Sequence, residues 1–139
     1  MIIGQYRNMK YALSVLAIFV GLLTFGQEAL TSNVNSALAK GNASELAPFL
    51  AKNVSVEING NEKIYSQEQA ENVLDLFFKR TKPKAFDVKH ASGPNKTGNN
   101  FNIGILRTEN GAYRLTYLLK DGPQGQPKIR KVKLVKIVR

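Results

Sequence analysis

The stretch SQEQAENVLDLFFKR, residues 66–80, decides the fold of this chain. Ser66 followed three residues later by Gln69 is a capping box, which marks the start of a helix. Pro83 lies just beyond the stretch and ends the helix, because proline lacks the amide donor that a helix needs. Between these signals, apolar residues recur at the spacing of one helix face, namely at Ala70, Val73, Leu74 and Phe77. The sequence therefore predicts one long amphipathic helix over about residues 66–80.

Two shorter helices and a hairpin are predicted upstream of the long helix. Residues 30–38 place apolar side chains on one helix face, and Gly41 supplies the stop. Asn42 with Glu45 marks the start of a second, short helix. Residues 54–58 alternate between apolar and polar and lead into Asn59-Gly60, a turn pair that predicts a β-hairpin.

Strand signals dominate downstream of the long helix. Asn110-Gly111 lies between two β-rich runs and predicts a two-residue turn, which fixes the register of the flanking strands. With that turn at the centre, Gly104 faces Tyr117 and Arg107 faces Arg114. The final segment, residues 128–139, predicts another strand, with a bulge near Leu134-Val135 that reconciles its two apolar faces.

This register suggests two candidate sites. The tyrosine opposite a glycine either lies across it or lines a cavity, and strand glycines often mark close contacts. The residues that we predict to line an apolar ligand pocket between the long helix and the sheet are Gly104, Leu106, Tyr113, Leu115, Tyr117, Val73 and Phe77. Like charges facing each other in a ladder destabilise it, so Arg107 and Arg114 predict either a neighbouring carboxylate or a bound anion.

Composition excludes several classes of chemistry. The chain has no cysteine, which removes disulfides, thiol nucleophiles and cysteine-based zinc sites. No metal-ligand cluster or cofactor motif is present, so we expect neither a metal nor a cofactor. The one histidine, His90, is predicted on a strand with Asp87 on the opposite face, so these two residues do not form a catalytic dyad. We therefore expect a binding protein rather than an enzyme.

The balance of charge favours anionic partners. The chain has 20 Lys and Arg residues against 10 Asp and Glu residues. Such an excess attracts anions over long distances. Nucleic acid is not the expected partner, because the aromatic residues that form stacking platforms are not interleaved with the cations. Anionic components of the cell envelope fit better.

The first 26 residues have the layout of a secretory signal peptide. Arg7 and Lys10 precede an uncharged apolar block, Tyr11–Phe25, and Gly26 suits the residue before the cleavage site. The block is shorter than the roughly 20 apolar residues of a membrane-spanning helix, so we expect no stable membrane span after processing. Met1 and Met9 both remain candidate start residues. We expect an exported protein, periplasmic or secreted, with one domain over residues 27–139.

Several short motifs resemble those of a known group. They are Lys40–Ala47, Tyr65-Ser66 with Gln69-Ala70, Phe77-Phe78, and Tyr113-Arg114-Leu115. Together they resemble a family of small exported bacterial domains of unknown function, similar to the nuclear-transport-factor-2-like superfamily. The resemblance implies a cone-like α+β fold, in which N-terminal helices and one long helix pack on a curved antiparallel sheet. Its motifs are turn and core residues, so it transfers no catalytic residue.

The functional hypothesis is a small exported binding module with a small apolar ligand of unknown identity. One alternative is an interaction protein whose basic surface binds an anionic envelope component or a protein partner, with a homodimer formed through the sheet also open. A second alternative is an isomerase or dehydratase, because the superfamily that the chain resembles includes ketosteroid isomerases and scytalone dehydratases. Such an enzyme would need a strongly perturbed carboxylate inside the cavity.

Overall fold

The computed structural model describes residues 30–93, 99–122 and 125–138. The sheet, and the helical residues from Val34 onward, belong to the compact unit Val34–Arg139. The predicted signal peptide, residues 1–26, lies outside the described residues, so its assignment stays a prediction. Within the described ranges, no helix combines the length and the apolar character needed to cross a membrane.

The order of elements follows the predicted series of helices, hairpin, long helix and strands. Helix α1 covers residues 30–40, and α2 (Ala43–Leu46) runs into a 3-10 turn (Ala47–Phe49). The hairpin strands are β1 (Leu50–Ile58) and β2 (Asn61–Ser66), and the long helix is α3 (Gln67–Thr81). The remaining strands are β3 (Pro83–Ala91), β4 (Asn99–Thr108), β5 (Gly111–Asp121) and β6 (Pro127–Lys136).

The six strands form one sheet in the order β2-β1-β6-β5-β4-β3. All neighbouring pairs are antiparallel except β1 and β6, which are parallel. The predicted α+β class is confirmed, and the purely antiparallel sheet is corrected at this one pair. A parallel pair needs a long crossover, and here the chain between β1 and β6 includes α3 and further strands.

Helix α3 begins as predicted. The Ser66 hydroxyl accepts from the Gln69 amide at 3.2 Å, and the Gln69 side chain accepts from the Ser66 amide at the same distance. The helix ends at Thr81, and its C-cap residue, Lys82, takes a left-handed conformation with φ of 58°. Its buried residues are Ala70, Leu74, Phe77, Phe78 and Thr81. Val73, which the sequence placed in this buried stripe, is only half-buried.

The two Asn-Gly turns differ in geometry. Asn59 and Gly60 both have positive φ, at 49° and 91°, and Ile58 pairs with Asn61 across them. These are the dihedral signs of the two-residue turn that suits the twist of a hairpin, so the upstream prediction is confirmed. In the second turn only Gly111 has positive φ, at 105°, and the residues that pair across the turn are Thr108 and Gly111.

The register of β4 and β5 is therefore displaced by two residues from the predicted one. Gly104 faces Leu115 rather than Tyr117, and Tyr117 faces Asn102. Arg107 faces Ala112 rather than Arg114. The displacement is even, so each side chain stays on its predicted face of the sheet. The predicted facing pairs are wrong, and the predicted faces are right.

The cause of the displacement is a contact between the turn and the end of α3. The Asn110 side chain donates to the Arg80 carbonyl at 2.7 Å, and the Glu109 amide donates to the Lys82 carbonyl at 3.0 Å. The Asn110 amide also donates to the Thr81 carbonyl at 3.3 Å. The last carbonyls of a helix lack partners within the helix, and this turn supplies them. The turn conformation thus satisfies a tertiary contact that the local sequence does not reveal.

Besides register shifts near the starts of β1 and β3, bulges occur at two places that bear on the predictions. In β6 the extra residue is Arg130, because Leu118 pairs with Lys131 while Leu119 pairs with Ile129. The bulge predicted near Leu134-Val135 is thus misplaced. This position lets Ile129, Val132 and Leu134 all face the core while Val135 faces outward.

The second bulge is at Lys89 in β3. Val88 pairs with Gly104, whereas His90 pairs with Ile103, which leaves Lys89 without a facing residue. Asp87 and His90 consequently face Ile105 and Ile103, two positions that share one face of β4. The prediction that Asp87 and His90 lie on opposite faces is wrong.

Candidate functional site

An open cleft lies between the β1–β2 hairpin and helix α3. Its volume is about 870 Å³. We call it the hairpin cleft. Its lining residues are Val56, Ile58, Asn59, Gly60, Asn61, Glu62, Lys63, Tyr65, Val73 and Arg80.

The hairpin wall follows from the register set by the Asn59-Gly60 turn. Val54 pairs with Tyr65 and Val56 pairs with Lys63, and facing residues of an antiparallel pair share one face of the sheet. Val54 and Val56 are buried, so the shared face is the one directed at the core and at α3. Tyr65 and Lys63 therefore extend from the cleft side of the exposed strand β2.

The helix wall is formed by Val73 and Arg80, which line the cleft two turns apart. Leu76 lies between them on the same side of the helix, since residues three and four apart are neighbours on a helix surface. Leu76 is 69% exposed. The Arg80 guanidinium lies 5.7 Å from the centre of the Phe77 ring, within the range of a cation–π contact.

Cations near the cleft divide into paired and unpaired ones. At the end of α3, Lys79 pairs with Asp75 at 2.8 Å and Lys82 pairs with Glu109 at 3.8 Å. Arg80, the cation of this group that lines the cleft, has no carboxylate within ion-pair distance among the described residues.

The same division holds in the sheet. Lys131 pairs with Glu62 at 3.4 Å and Lys133 pairs with Glu57 at 3.4 Å. Lys63, which lines the cleft, has no carboxylate partner in the part of the chain that the structure describes. The hairpin cleft is therefore bordered by one unpaired cation on each wall.

The acidic residue that borders the hairpin cleft is Glu62. The Ser55 hydroxyl donates to Glu62 Oε1 at 2.6 Å, and Ser55 lies on the face of β1 opposite to Val54 and Val56. The hydrogen bond from Ser55, followed by the contact with Lys131, lowers the pKa of the Glu62 carboxyl below its usual value. The Glu62 side chain is thus ionised at neutral pH and engaged on the face away from the cleft.

The residues predicted to line a ligand pocket lie mostly in the core. Leu106, Tyr113, Leu115, Tyr117 and Phe77 are buried, and the Phe77 and Tyr113 rings meet edge to face with centres 5.0 Å apart. Val73 differs from these, because it borders the hairpin cleft. Ligand binding by the core residues stays a prediction.

Gly104 marks a close contact. A Cβ atom built on it would lie 2.6 Å from the carbonyl oxygen of Asp87 and 2.7 Å from the ring of Phe86. The space above this glycine is thus occupied by a phenylalanine from β3, and Tyr117 lies elsewhere on the sheet. The sequence left open whether Gly104 marks a close contact or borders a cavity, and the structure shows a close contact.

Tyr117 reaches the polar side of helix α1. Its hydroxyl donates to Asn35 Oδ1 at 2.7 Å, and burial raises the pKa of this phenol well above its ordinary value of 10.0. Asn102, which faces Tyr117 in the ladder, is 1% exposed, and its Nδ2 atom has no hydrogen-bond partner among the described residues. This carboxamide is a buried polar group inside an apolar layer.

Arg107 and Arg114 are separated by the corrected register. Arg107 Nε donates to Asp87 Oδ2 at 2.6 Å, so the neighbouring carboxylate, one of the two predicted alternatives, is found at Arg107. Arg114 faces Ile105 in the ladder and is exposed. The facing arginine pair that motivated an anion site does not exist, and anion binding at either residue stays a prediction.

His90 is exposed on β3, and the Asp87 carboxylate that shares its face is bonded to Arg107. Across residues 30–93, 99–122 and 125–138, the His, Asp and Glu side chains form no group of three that could hold a metal ion.

The lining of the hairpin cleft was missed by sequence reasoning except for Val73. A usable signal was present, because the Asn59-Gly60 turn fixes Lys63 opposite Val56 by the same rule that was applied downstream. Arg80 gave no such signal. Its place beside the cleft depends on how α3 packs against the hairpin, which is a contact between distant parts of the chain.

Residues 31–134 match the family model of DUF4783, a domain of unknown function. This chain belongs to the DUF4783 family. No curated protein sequence matches it. A solved DUF4783 protein from Bacteroides uniformis is 27% identical, with a TM-score of 0.73, and the alignment covers 78% of this chain and 97% of that one.

More distant structures support the fold of this DUF4783 domain. A protein designed on the nuclear-transport-factor-2-like fold aligns with a TM-score of 0.60 and 18% identity over 78% of this chain and 96% of that one. A candidate ketosteroid isomerase from Shewanella frigidimarina aligns with a TM-score of 0.59 and 18% identity, covering 76% and 91% of the two chains. The predicted resemblance to the nuclear-transport-factor-2-like superfamily and its cone-like α+β fold is confirmed.

Proposed function

We propose that this DUF4783 chain is a binding module and that the hairpin cleft holds a small, largely apolar ligand. The proposal rests on three apolar side chains of the cleft that remain partly exposed to water. Ile58, Tyr65 and Val73 line the cleft and are only half-buried. Burial of such apolar surface by a ligand removes it from water, which is favourable.

The dimensions of the cleft suit this function. Ligand sites are concave, mostly apolar regions of about 300–1,000 Å³ with a few polar groups that orient the ligand. The hairpin cleft has about 870 Å³, and its lining combines the apolar side chains of Val56, Ile58, Tyr65 and Val73 with polar ones. The proposal keeps the predicted place of the pocket, between the long helix and the sheet, and moves its sheet wall to the hairpin.

We propose binding without catalysis for this cleft. Proton transfer by an isomerase or dehydratase needs an acid or base within hydrogen-bond reach of the ligand. Among the described residues that line the cleft, the carboxylic acid is Glu62, and it is bonded to Ser55 on the other face of the hairpin. The candidate ketosteroid isomerase shares the fold at 18% identity, which supports no transfer of its activity.

The test is titration calorimetry of the purified protein with 1-decanol, a neutral aliphatic probe. We expect saturable binding that Val73→Trp weakens at least about tenfold in Kd, because the indole would occupy the cleft. Asn72→Trp is the matched control, since Asn72 is the neighbouring exposed residue and does not line the cleft. Equal affinities of the two variants would remove the cleft as the binding site.

Export is part of the proposal and is tested separately. The apolar block Tyr11–Phe25 supports a cleaved signal peptide. Native mass spectrometry of the protein from the envelope of the producing cell should give the mass of residues 27–139. A mass that includes residues 1–26 would contradict processing, and a doubled mass would favour the dimer alternative.

A further inference from the structure

We infer that the ligand of the hairpin cleft is an anionic amphiphile, an aliphatic chain that ends in a carboxylate. This inference rests on the proposed function and deepens it, because it names the class of ligand. Its basis is the combination of apolar lining side chains with two cations that have no acidic partner among the described residues.

Ion pairing distinguishes the cations that line the cleft from their neighbours. Lys79 and Lys82 flank Arg80 in sequence, and both are paired with carboxylates. Lys131 and Lys133 lie on the other face of the sheet and are also paired. Lys63 and Arg80, which border the cleft from opposite walls, have no carboxylate within ion-pair distance among the described residues.

The charge of Arg80 is not needed to compensate the dipole of helix α3. Cations near the end of a helix are favourable because the last carbonyls carry partial negative charge. In α3 the carbonyls of Arg80, Thr81 and Lys82 already accept hydrogen bonds from the β4–β5 turn. Lys79 is a second cation in the last turn of the helix. The charge of Arg80 is therefore available to a ligand.

The position of Arg80 is held by an aromatic ring. Its guanidinium lies 5.7 Å from the centre of the buried Phe77 ring, and a cation over a ring face is attracted by the ring quadrupole. Lys63 is placed by the ladder opposite Val56, on the core-facing side of the hairpin. A planar guanidinium and a lysine ammonium on facing walls suit the oxygens of a carboxylate.

The apolar part of the ligand would contact apolar side chains from both walls of the cleft. Val56, Ile58, Tyr65 and Val73 line the cleft. Leu76 continues this surface at the rim, because it lies on the same helix side as Val73 and Arg80 and is 69% exposed. An isolated anion such as phosphate would leave this surface in water, and a neutral hydrocarbon would leave the two charges unmatched. An aliphatic carboxylate satisfies both.

The experiment compares decanoate with 1-decanol, two probes of equal chain length that differ in the charge of the head group. Calorimetry on the wild-type protein should give a Kd for decanoate about tenfold lower than for 1-decanol, the combined effect of two partly exposed ion pairs. The double variant Lys63→Gln/Arg80→Gln should remove this preference, so that decanoate and 1-decanol bind to it with the same Kd. Lys84→Gln/Lys89→Gln, which neutralises two exposed cations of β3, is the matched control and should keep the preference.

Each outcome separates the inference from the function on which it rests. If both probes bind with equal affinity, the cleft is a ligand site and the inference of an anionic ligand is wrong. If the control double variant loses the preference as fully as Lys63→Gln/Arg80→Gln, the attraction comes from net charge and the inference is also wrong. If neither probe binds to the wild-type protein, the proposed function itself falls.

Discussion

Replacement of Gly104 by alanine tests the packing of the sheet most sharply. The new methyl group would lie 2.6 Å from the backbone carbonyl oxygen of Asp87 and 2.7 Å from two ring carbons of Phe86. The ring can rotate or shift, but the carbonyl belongs to the neighbouring strand and moves only with β3. Overpacking of this kind costs about 1–3 kcal/mol of stability. We expect Gly104→Ala to lower the free energy of unfolding by this amount.

The assay is urea unfolding followed by far-ultraviolet circular dichroism, with a thermal melt as a second measure. A domain of this size loses about 4–8 °C in Tm for each kcal/mol. Gly93→Ala is the matched control, because a Cβ atom there would meet nothing within 4 Å. The control should change stability by no more than about 0.5 kcal/mol. If Gly104→Ala were as stable as the control, the close approach of β3 to Gly104 would be refuted, together with the register that produces it.

Three further changes test individual contacts. Asn110→Ala removes the donor to the Arg80 carbonyl and should lower the free energy of unfolding by about 1 kcal/mol in urea; no loss would contradict the docking of the turn on α3. Asn102→Leu removes a buried amide nitrogen that has no partner among the described residues, so the free energy of unfolding of the variant should equal or exceed that of the wild type. A decrease of more than about 1 kcal/mol would reveal a partner for that nitrogen. Burial raises the pKa of Tyr117, so above pH 10.0 the unfolded chain releases this proton while the folded chain keeps it. Stability should therefore fall as the pH rises above 10.0. Tyr117→Phe should flatten this decline, and an unchanged slope would be inconsistent with a buried, neutral phenol.

Local signals predicted the elements of this fold because the physics of those elements is local. The capping box at Ser66, the stop at Gly41 and the turn at Asn59-Gly60 each depend on residues within a few positions of one another. All three occur where the sequence indicated. Asn42 likewise accepts from the Glu45 amide at 3.1 Å and starts α2.

The register of β4 and β5 could not be predicted from its turn alone. The sequence pair Asn110-Gly111 is compatible with two turns, one with both residues at positive φ and one with glycine alone at positive φ. The choice between them is made by hydrogen bonds from Glu109 and Asn110 to the end of α3. Asn110 and Arg80 are 30 positions apart, so no local pattern encodes their contact.

Of the predicted lining residues, Val73 borders the hairpin cleft, and ligand binding by the others stays a prediction. The sequence identified the long helix and the sheet as the two walls, and Val73 as one lining residue. The hairpin wall follows from the pairing of Val56 with Lys63, a register that the Asn59-Gly60 turn fixes. The predicted sheet residues are core because helix side chains cover them, as the contact of Phe77 with Tyr113 shows.

The central claim is that the hairpin cleft is the ligand site of this DUF4783 domain. The most direct measurement is a titration of isotope-labelled protein with decanoate, followed by amide chemical shifts in solution NMR spectra. We expect the largest shift changes at Val56, Lys63, Tyr65, Val73 and Arg80. Changes centred on Gly104, Leu115 and Tyr117 would place the ligand inside the core instead, and a spectrum without changes would contradict the claim.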